Sequence, residues 1–304
     1  MSLPLKRKEE VKRPYVRFVI DGLGGVGKST AIATIAKKPL VVDLDGRFPQ
    51  HLIEKSDFLA QGADYQGFIK VLRAVLEEPK IENDWLVLDT ATKVMSLVED
   101  WTIARDCAGQ KEKYNAYGHG LKFAPQYFKE ILDIVDQIQA KHQINVAFVC
   151  HTKVKEFKNP MTENYHKNVL DLPEIVAEKL KQWADYIGYA WFESEVDKDK
   201  KKAKDEVKRF ISFTESPLYE AKNSSDFTIP AKIEFDKEGA WAEIVFGKTQ
   251  ALIKELEQLL GKFPAEYREA FANAIKDQNV YSWSVARLAD FIKAGSEKLK
   301  QIKK

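Results

Sequence analysis

Short apolar runs alternate with longer stretches of helical spacing along most of this chain. Residues 15–21 (YVRFVID) alternate and are rich in β-formers, so they predict a strand that runs into a glycine-rich turn. Residues 28–37 (KSTAIATIAK) predict a helix ended by Pro39, and 40–44 (LVVDL) a second strand. Helical spacing returns over 65–76. The run 85–88 (WLVL) is a short buried strand that closes on Asp89. A helix is expected over 91–104, a polar loop over 105–120, a long amphipathic helix over 121–141 and a buried strand over 144–150. Residues 152–173 show little periodicity and read as a long loop, a length uncommon without function. A helix over 174–183 and strands over 186–192, 210–213, 231–235 and 240–246 follow. The charged stretch 194–208 reads as a hairpin tip. The remainder predicts helices over 250–260, 265–276 and 284–302, and no internal repeat is visible.

Strands that alternate with helices imply an α/β fold with a mostly parallel sheet covered on its faces. The pattern divides the chain into a basic arm (1–14), an α/β core (15–247) and a small C-terminal helical region (248–304). Composition fits a globular protein, with 44% hydrophobic and 31% charged residues. No apolar run approaches the roughly 20 residues of a membrane span. The N-terminal residues carry no apolar core of a secretory signal. Two separated cysteines, Cys107 and Cys150, exclude a disulfide framework and a cysteine zinc site. A reducing cytoplasm is expected. A net charge of +2 gives no global signal for nucleic acid, so any polyanion contact must come from local patches at 6–17, 198–209 or 298–304.

The chemistry begins at residues 22–29. Gly22, Gly27, Lys28 and Ser29 fit the pattern G-x-x-x-x-G-K-[ST] between a predicted strand and a predicted helix. The glycines, with Gly24 and Gly25, let the backbone turn its N–H groups inward around phosphate oxygens. Val26, Gly27, Lys28, Ser29 and Thr30 carry that cradle into a helix N-terminus, which favours an anion. Lys28 is placed to reach the β and γ phosphates, and Ser29 to ligate Mg2+. Asp89, at the end of an apolar strand, is the second Mg2+ candidate. ATP with Mg2+ is therefore the expected ligand pair.

Three details narrow the branch. Thr90 stands after Asp89, where ring-forming AAA-plus ATPases usually carry glutamate. Leu23 stands where partition-type ATPases have a second lysine. Acids close the second strand in Val41-Val-Asp43-Leu-Asp45-Gly46. With WLVLDT and VAFVCHTK, this arrangement resembles the phage-encoded nucleotide-binding proteins with a minimal RecA-like P-loop core, some of which act as single-strand-annealing recombination ATPases. The resemblance spans 15–235 and includes QWADYIGYAWF and SPLYEAKNSSDFTIPAKIEF.

That resemblance implies roles residue by residue. Asp45 falls where the family's water-positioning glutamate lies, one methylene shorter, with Asp43 deeper in the strand. His151 takes the γ-phosphate sensor place and could relay phosphate occupancy into the next loop. Lys222 is the candidate for the basic residue that reaches a neighbouring subunit's γ-phosphate, although Ser224 replaces the arginine of the family's K-N-R run. The loops that face DNA in RecA-like cores correspond to 105–120 and 152–173. They carry Arg105, Lys111, Lys113, Tyr114 and Tyr117, then Lys153, Lys155, Lys158, Tyr165, His166 and Lys167. Cations for phosphates and rings for bases suit a single strand.

The resulting expectation is a Mg2+-dependent ATPase acting on single-stranded DNA in phage-type annealing or strand exchange. It would self-associate into a filament or ring in the cytoplasm of a phage-infected or prophage-bearing bacterium. A single-strand-binding or replication protein is a possible partner. One rival is a replication or packaging accessory that docks a protein through Trp283, Leu288 and Phe291. Another is a small-molecule kinase, disfavoured because 194–209 carries only Arg209 where a lid would be arginine-rich.

Overall fold

Apolar strand residues are buried on both faces of the central sheet, as a parallel sheet with two covers requires. The computed structural model describes residues 15–59, 62, 64–157, 163–197, 202–224, 229–234, 252, 255–256, 258–264, 267–268 and 285–302. The first strand, β1 (Arg17–Gly22), buries Phe18, Val19 and Ile20 completely. It pairs in parallel with β5 (Asn145–Val149) on one side and β8 (Tyr186–Asp197) on the other. Beyond β5 come β4 (Trp85–Asp89), β2 (Pro39–Asp43) and the short β3 (Asp57–Phe58), all parallel. Outside β8, β9 (Lys202–Ser212) and β11 (Ile233–Glu234) continue the sheet antiparallel. The two-residue β10 (Lys222–Asn223) also pairs with β8. The phosphate-loop strand is thus separated from the Asp89 strand by one strand, and the fold is α/β with a mostly parallel sheet.

Val19, Leu40, Val42, Leu86, Leu88, Val146 and Phe148 alternate with residues facing the other way. They join one buried cluster with α2 (Tyr65–Glu77), α3 (Ala91–Asp106), α5 (His119–His142) and α6 (Glu174–Trp183). Helix α1 (Lys28–Ile35) lies against β1 and β5 and buries Ala31, Ile32 and Ala33. Side chains set the helix starts. Asp64 accepts a hydrogen bond from Gly67 N at 2.8 Å, and Thr90 from Lys93 N at 3.2 Å; each cap contributes about 1 kcal/mol.

Two stretches expected to be loops are ordered. Residues 111–115 form a short helix, α4 (Lys111–Asn115), followed by a 3-10 turn at Ala116–Gly118. Residues 152–157 and 165–170 form an antiparallel pair of strands, β6 (Thr152–Phe157) and β7 (Tyr165–Leu170), registered from Thr152↔Leu170 to Phe157↔Tyr165. The charged stretch 194–208 lies mostly in β8 and β9, which extend to Asp197 and from Lys202. The strand expected over 240–246 falls outside the described residues.

The chain divides into two units, one of residues 17–241 and one that includes the residues from 242 onward. The second has a small core of Leu256, Leu259, Phe263, Ile292 and Leu299, the last two on α7 (Val285–Ile302).

Gly22 is where the sheet needs a glycine. Its φ is +145°, and a Cβ there would sit 2.1 Å from the carbonyl oxygen of Ala190, its register partner on β8. Backbone meets backbone, so no rotamer change relieves the clash. Gly22→Ala is expected to destabilise the fold by about 3 kcal/mol or more, read as a lower denaturation midpoint. An unchanged midpoint would show that β1 and β8 separate there without penalty.

Candidate functional site

The carboxyl ends of β1, β2, β4 and β5 collect Gly22, Asp43, Asp89 and Cys150 along one edge of the sheet, with Ala190 of β8 beside Gly22. That edge, where connections diverge from the strand order, is where open α/β sheets bind ligands. The loop from Gly22 turns on positive φ at Gly25 (+79°) and Gly27 (+99°), and Gly27 directly precedes α1. Val26 is fully buried and anchors the loop. A Cβ built on Gly24 or Gly25 meets nothing within 4 Å, so the space above the loop is open to a ligand.

Lys28 is only 6% exposed and points back into the loop. Its Nζ donates to Gly22 O at 2.8 Å and to Leu23 O at 3.0 Å. Burial pushes its pKa below the usual lysine value, against the opposing pull of Asp21, Cys150, Asp89 and Asp45. Ser29 hydrogen-bonds the Asp89 carboxylate. Burial raises the Asp89 pKa to about 6; the Ser29 bond and Lys28 oppose that rise, while the negative charges of Asp43 and Asp45 add to it. Three carboxylates this close make a site that a divalent cation would relieve, and Ser29 and Asp89 fit the role of its protein ligands. Among the described residues, no three His, Cys, Asp or Glu side chains form a ready-made metal cage. Phosphate and water oxygens commonly complete the coordination of Mg2+.

The two acids after β2 separate by partner. Asp43 accepts from Arg47 N at 3.2 Å and Phe48 N at 3.0 Å, so it holds the turn. Asp45 faces the site: Thr90 Oγ1 donates to it at 3.3 Å, and His151 Nε2 lies 3.5 Å from the same oxygen. His151 is held from behind, its N–H donating to Thr92 Oγ1 at 3.3 Å. Its carbonyl accepts from Asp171 N at 2.7 Å. The edge therefore brings together Lys28, Ser29, Asp45, Asp89 and His151, with Thr90 and Thr92 as links that the sequence reading did not single out.

Other expected site residues stand elsewhere. Lys222 Nζ donates to Lys181 O at 2.9 Å and Ala184 O at 2.6 Å, closing the carboxyl end of α6. Its ammonium is thus engaged within its own chain, and reaching a neighbouring subunit's phosphate would require it to leave these carbonyls. Tyr114 is buried, its ring against Gly120, where a Cβ would meet it at 2.4 Å. Its ring is covered, and stacking on a base would require it to move out. Lys111 pairs with Glu99 at 3.7 Å, and Lys113 is exposed. The Tyr117 side chain and Lys158 lie outside the described residues.

The β6–β7 hairpin carries its basic residues in pairs with acids. Lys153 lies 3.4 Å from Asp171 and donates to Leu172 O at 2.8 Å. Lys155 lies 2.9 Å from Glu174, and Lys167 pairs with Glu215. Phe157 and Tyr165 stack with centroids 5.7 Å apart. Such exposed pairs are worth about 0–1 kcal/mol, so an incoming phosphate can displace them cheaply.

No curated protein matches the chain. Among solved structures, the crystal structure of the RadB recombinase is similar at 13% identity, over 74% of this chain and 89% of that chain, with a TM-score of 0.40. A family model described as AAA domain matches residues 15–225, which hold the phosphate loop, both strand-end acids and His151. The chain belongs to this AAA domain family, and its core is a P-loop nucleotide-binding domain.

Proposed function

We propose that this protein is a Mg2+-dependent ATPase that uses nucleotide to control its grip on single-stranded DNA in recombination by annealing or strand exchange. The phage setting, cytoplasmic location, assembly into a filament or ring and cooperation with a single-strand-binding or replication protein belong to the same reading. They rest on the sequence resemblance. Ser29 and Asp89 would hold the cation. When bound, Mg2+ supplies positive charge to the phosphates and to the acids around them. Lys28 exchanges its loop carbonyls for phosphate oxygens. Asp45 orients water, and His151 reads the terminal phosphate.

One observation supports the coupling to DNA most directly. His151 touches Asp45 and is also the residue immediately before β6. Its carbonyl is tied to Asp171 just past the end of β7, so the phosphate-reading position and the base of the hairpin are one continuous piece of backbone. A shift of His151 toward phosphate would be transmitted to Lys153 and Lys155. The rival reading, protein docking through the C-terminal helices, is weakened at Phe291. That residue packs against the small core of its own unit. Trp283 lies outside the described residues.

ATP turnover measured with and without single-stranded DNA, at two salt concentrations, tests the proposal. Stimulation that fades with salt is expected; turnover indifferent to DNA would favour the protein-docking reading. Replacing Lys153, Lys155 and Lys158 together by alanine should flatten the log–log salt dependence of single-strand binding by about 2 units, since each contacted phosphate contributes about 0.7. The effect should be the same for any base sequence. Full binding by this variant would move the DNA path away from the hairpin.

A further inference from the structure

Asp21 is a fully buried carboxyl at the end of β1, one residue before the phosphate loop; among the described residues neither of its oxygens has a partner at hydrogen-bond distance, although the Thr152 hydroxyl lies near enough to favour its anion. Every element packed around it contributes a group. Lys28 comes from α1, Cys150 from the end of β5, Thr152 from β6, and Tyr189, its register partner, from β8. Glu220 comes from the segment before β10 and is itself bonded to Lys181 of α6 at 2.7 Å. A lone acid so placed, facing a second acid, is unfavourable as an anion.

We infer that Asp21 is a proton gate on the phosphate loop: nucleotide binds while its carboxyl is neutral, and ionisation of that carboxyl weakens binding. The inference rests on the nucleotide-binding reading above and concerns the same site. Two effects act together. An Asp21 anion would lie beneath the cradle that must accept phosphate. It would also hold the Lys28 ammonium in its withdrawn position on Gly22 O and Leu23 O, next to Asp21 in the chain. Burial, followed by the charge of Glu220, raises the Asp21 pKa well above the ordinary carboxylate value; Lys28, a backbone hydrogen bond and the Thr152 hydroxyl oppose this only in part. The other titratable neighbours stay neutral, since the Cys150 thiol and the Tyr189 hydroxyl are both pushed up to about 12.

The sign follows. Phosphate near Asp21 favours its protonated form further, so the pKa is higher in the nucleotide complex than in the free chain. Affinity is full below the free-chain pKa, declines as pH rises through it, and levels off above the pKa of the complex. Binding takes up protons inside that window.

Asp21 acts through Lys28 and the loop, so it is a positioning residue. The test is equilibrium binding of a non-hydrolysable ATP analogue with Mg2+ from pH 5 to 9.5, in wild type and Asp21→Asn. Wild-type affinity should fall by at least about tenfold across the range, and the variant should lose most of that decline. Glu220→Gln should move the decline to lower pH, because the negative charge that adds to the effect of burial on Asp21 is gone. Calorimetry of the wild type in two buffers of different ionisation enthalpy should show proton uptake on binding, which needs no variant. Asp21→Asn should also melt at higher temperature than wild type at pH 8. The unfolded carboxyl is ionised there, whereas the folded one resists ionisation, and asparagine removes that difference. Superimposable wild-type and Asp21→Asn profiles, or no proton uptake, would overturn the gate while leaving nucleotide binding intact. A decline displaced to lower pH in Asp21→Asn would also overturn it, by showing that Asp21 serves to keep Lys28 charged. Absence of analogue binding by the wild type at every pH would instead sink the nucleotide reading, and the gate with it.

Discussion

Lys28→Ala is expected to lower affinity for ATP with Mg2+ by at least about a hundredfold, because the lost ammonium would make two charge-assisted hydrogen bonds worth about 1.5–3 kcal/mol each. Without nucleotide, the same ammonium is bonded to Gly22 O and Leu23 O inside the loop, and burial depresses its pKa. The free chain therefore holds Lys28 at an energetic disadvantage that phosphate would relieve. Removing the side chain should leave the nucleotide-free melting temperature near that of wild type, since the burial penalty and the two lost bonds offset each other. What should disappear is the rise in melting temperature on adding ATP, which reports binding to the folded state. A variant with wild-type affinity would mean that the loop is a structural turn. A variant unfolded without nucleotide would show that the two carbonyl bonds outweigh the burial penalty.

The core and the phosphate loop were legible because their signals are local. Buried parallel strands are short apolar runs, and a P-loop needs glycines and a lysine at fixed spacing. The β6–β7 hairpin lacked any such signal. Lys153, Lys155, His166 and Lys167 interrupt it, Val154 is 64% exposed, and no face of it is continuously apolar. Its order comes from backbone pairing, the Phe157–Tyr165 stack and ion pairs to distant residues. Tyr114 and Lys222 illustrate tertiary placement. The first is buried by a glycine on the next helix, and the second by carbonyls at the end of α6. A polar residue closing an apolar run at Asp21 was visible, but a solvent-facing strand end looks the same in sequence. Only the fold shows that β8 and the segment before β10 cover it.

The choice between Asp43 and Asp45 depended on a turn. Both acids follow an apolar strand, and both lie within electrostatic reach of Asp89. The N–H groups of Arg47 and Phe48 take the Asp43 carboxylate and leave Asp45 to face Thr90 and His151. A carboxylate that takes the N–H groups four and five residues on fixes the loop, and so positions the next acid to act. Asp43→Asn should therefore lower stability more than turnover, with the reverse for Asp45.

Asp45→Asn is accordingly expected to reduce ATP turnover by about a hundredfold, the usual scale for losing a group that orients or deprotonates the attacking water. The amide keeps the shape of the carboxylate and can still accept from Thr90 Oγ1, so the local structure should hold. It removes the negative charge beside His151 and one of the two carboxylate charges crowding Asp89. With fewer anions near the phosphates, ATP affinity should stay within about threefold of wild type or rise slightly, because the lost interaction belongs to the transition state. Single-turnover hydrolysis and equilibrium binding, measured on the same preparation, separate the two effects. Asp45→Glu adds back the charge on a side chain longer by one methylene and should recover part of the rate. Unchanged turnover in Asp45→Asn together with a collapse in Asp43→Asn would reverse the two roles. Equal losses of binding and turnover in Asp45→Asn would make Asp45 a structural partner of His151 and would move the water-orienting group elsewhere on the sheet edge.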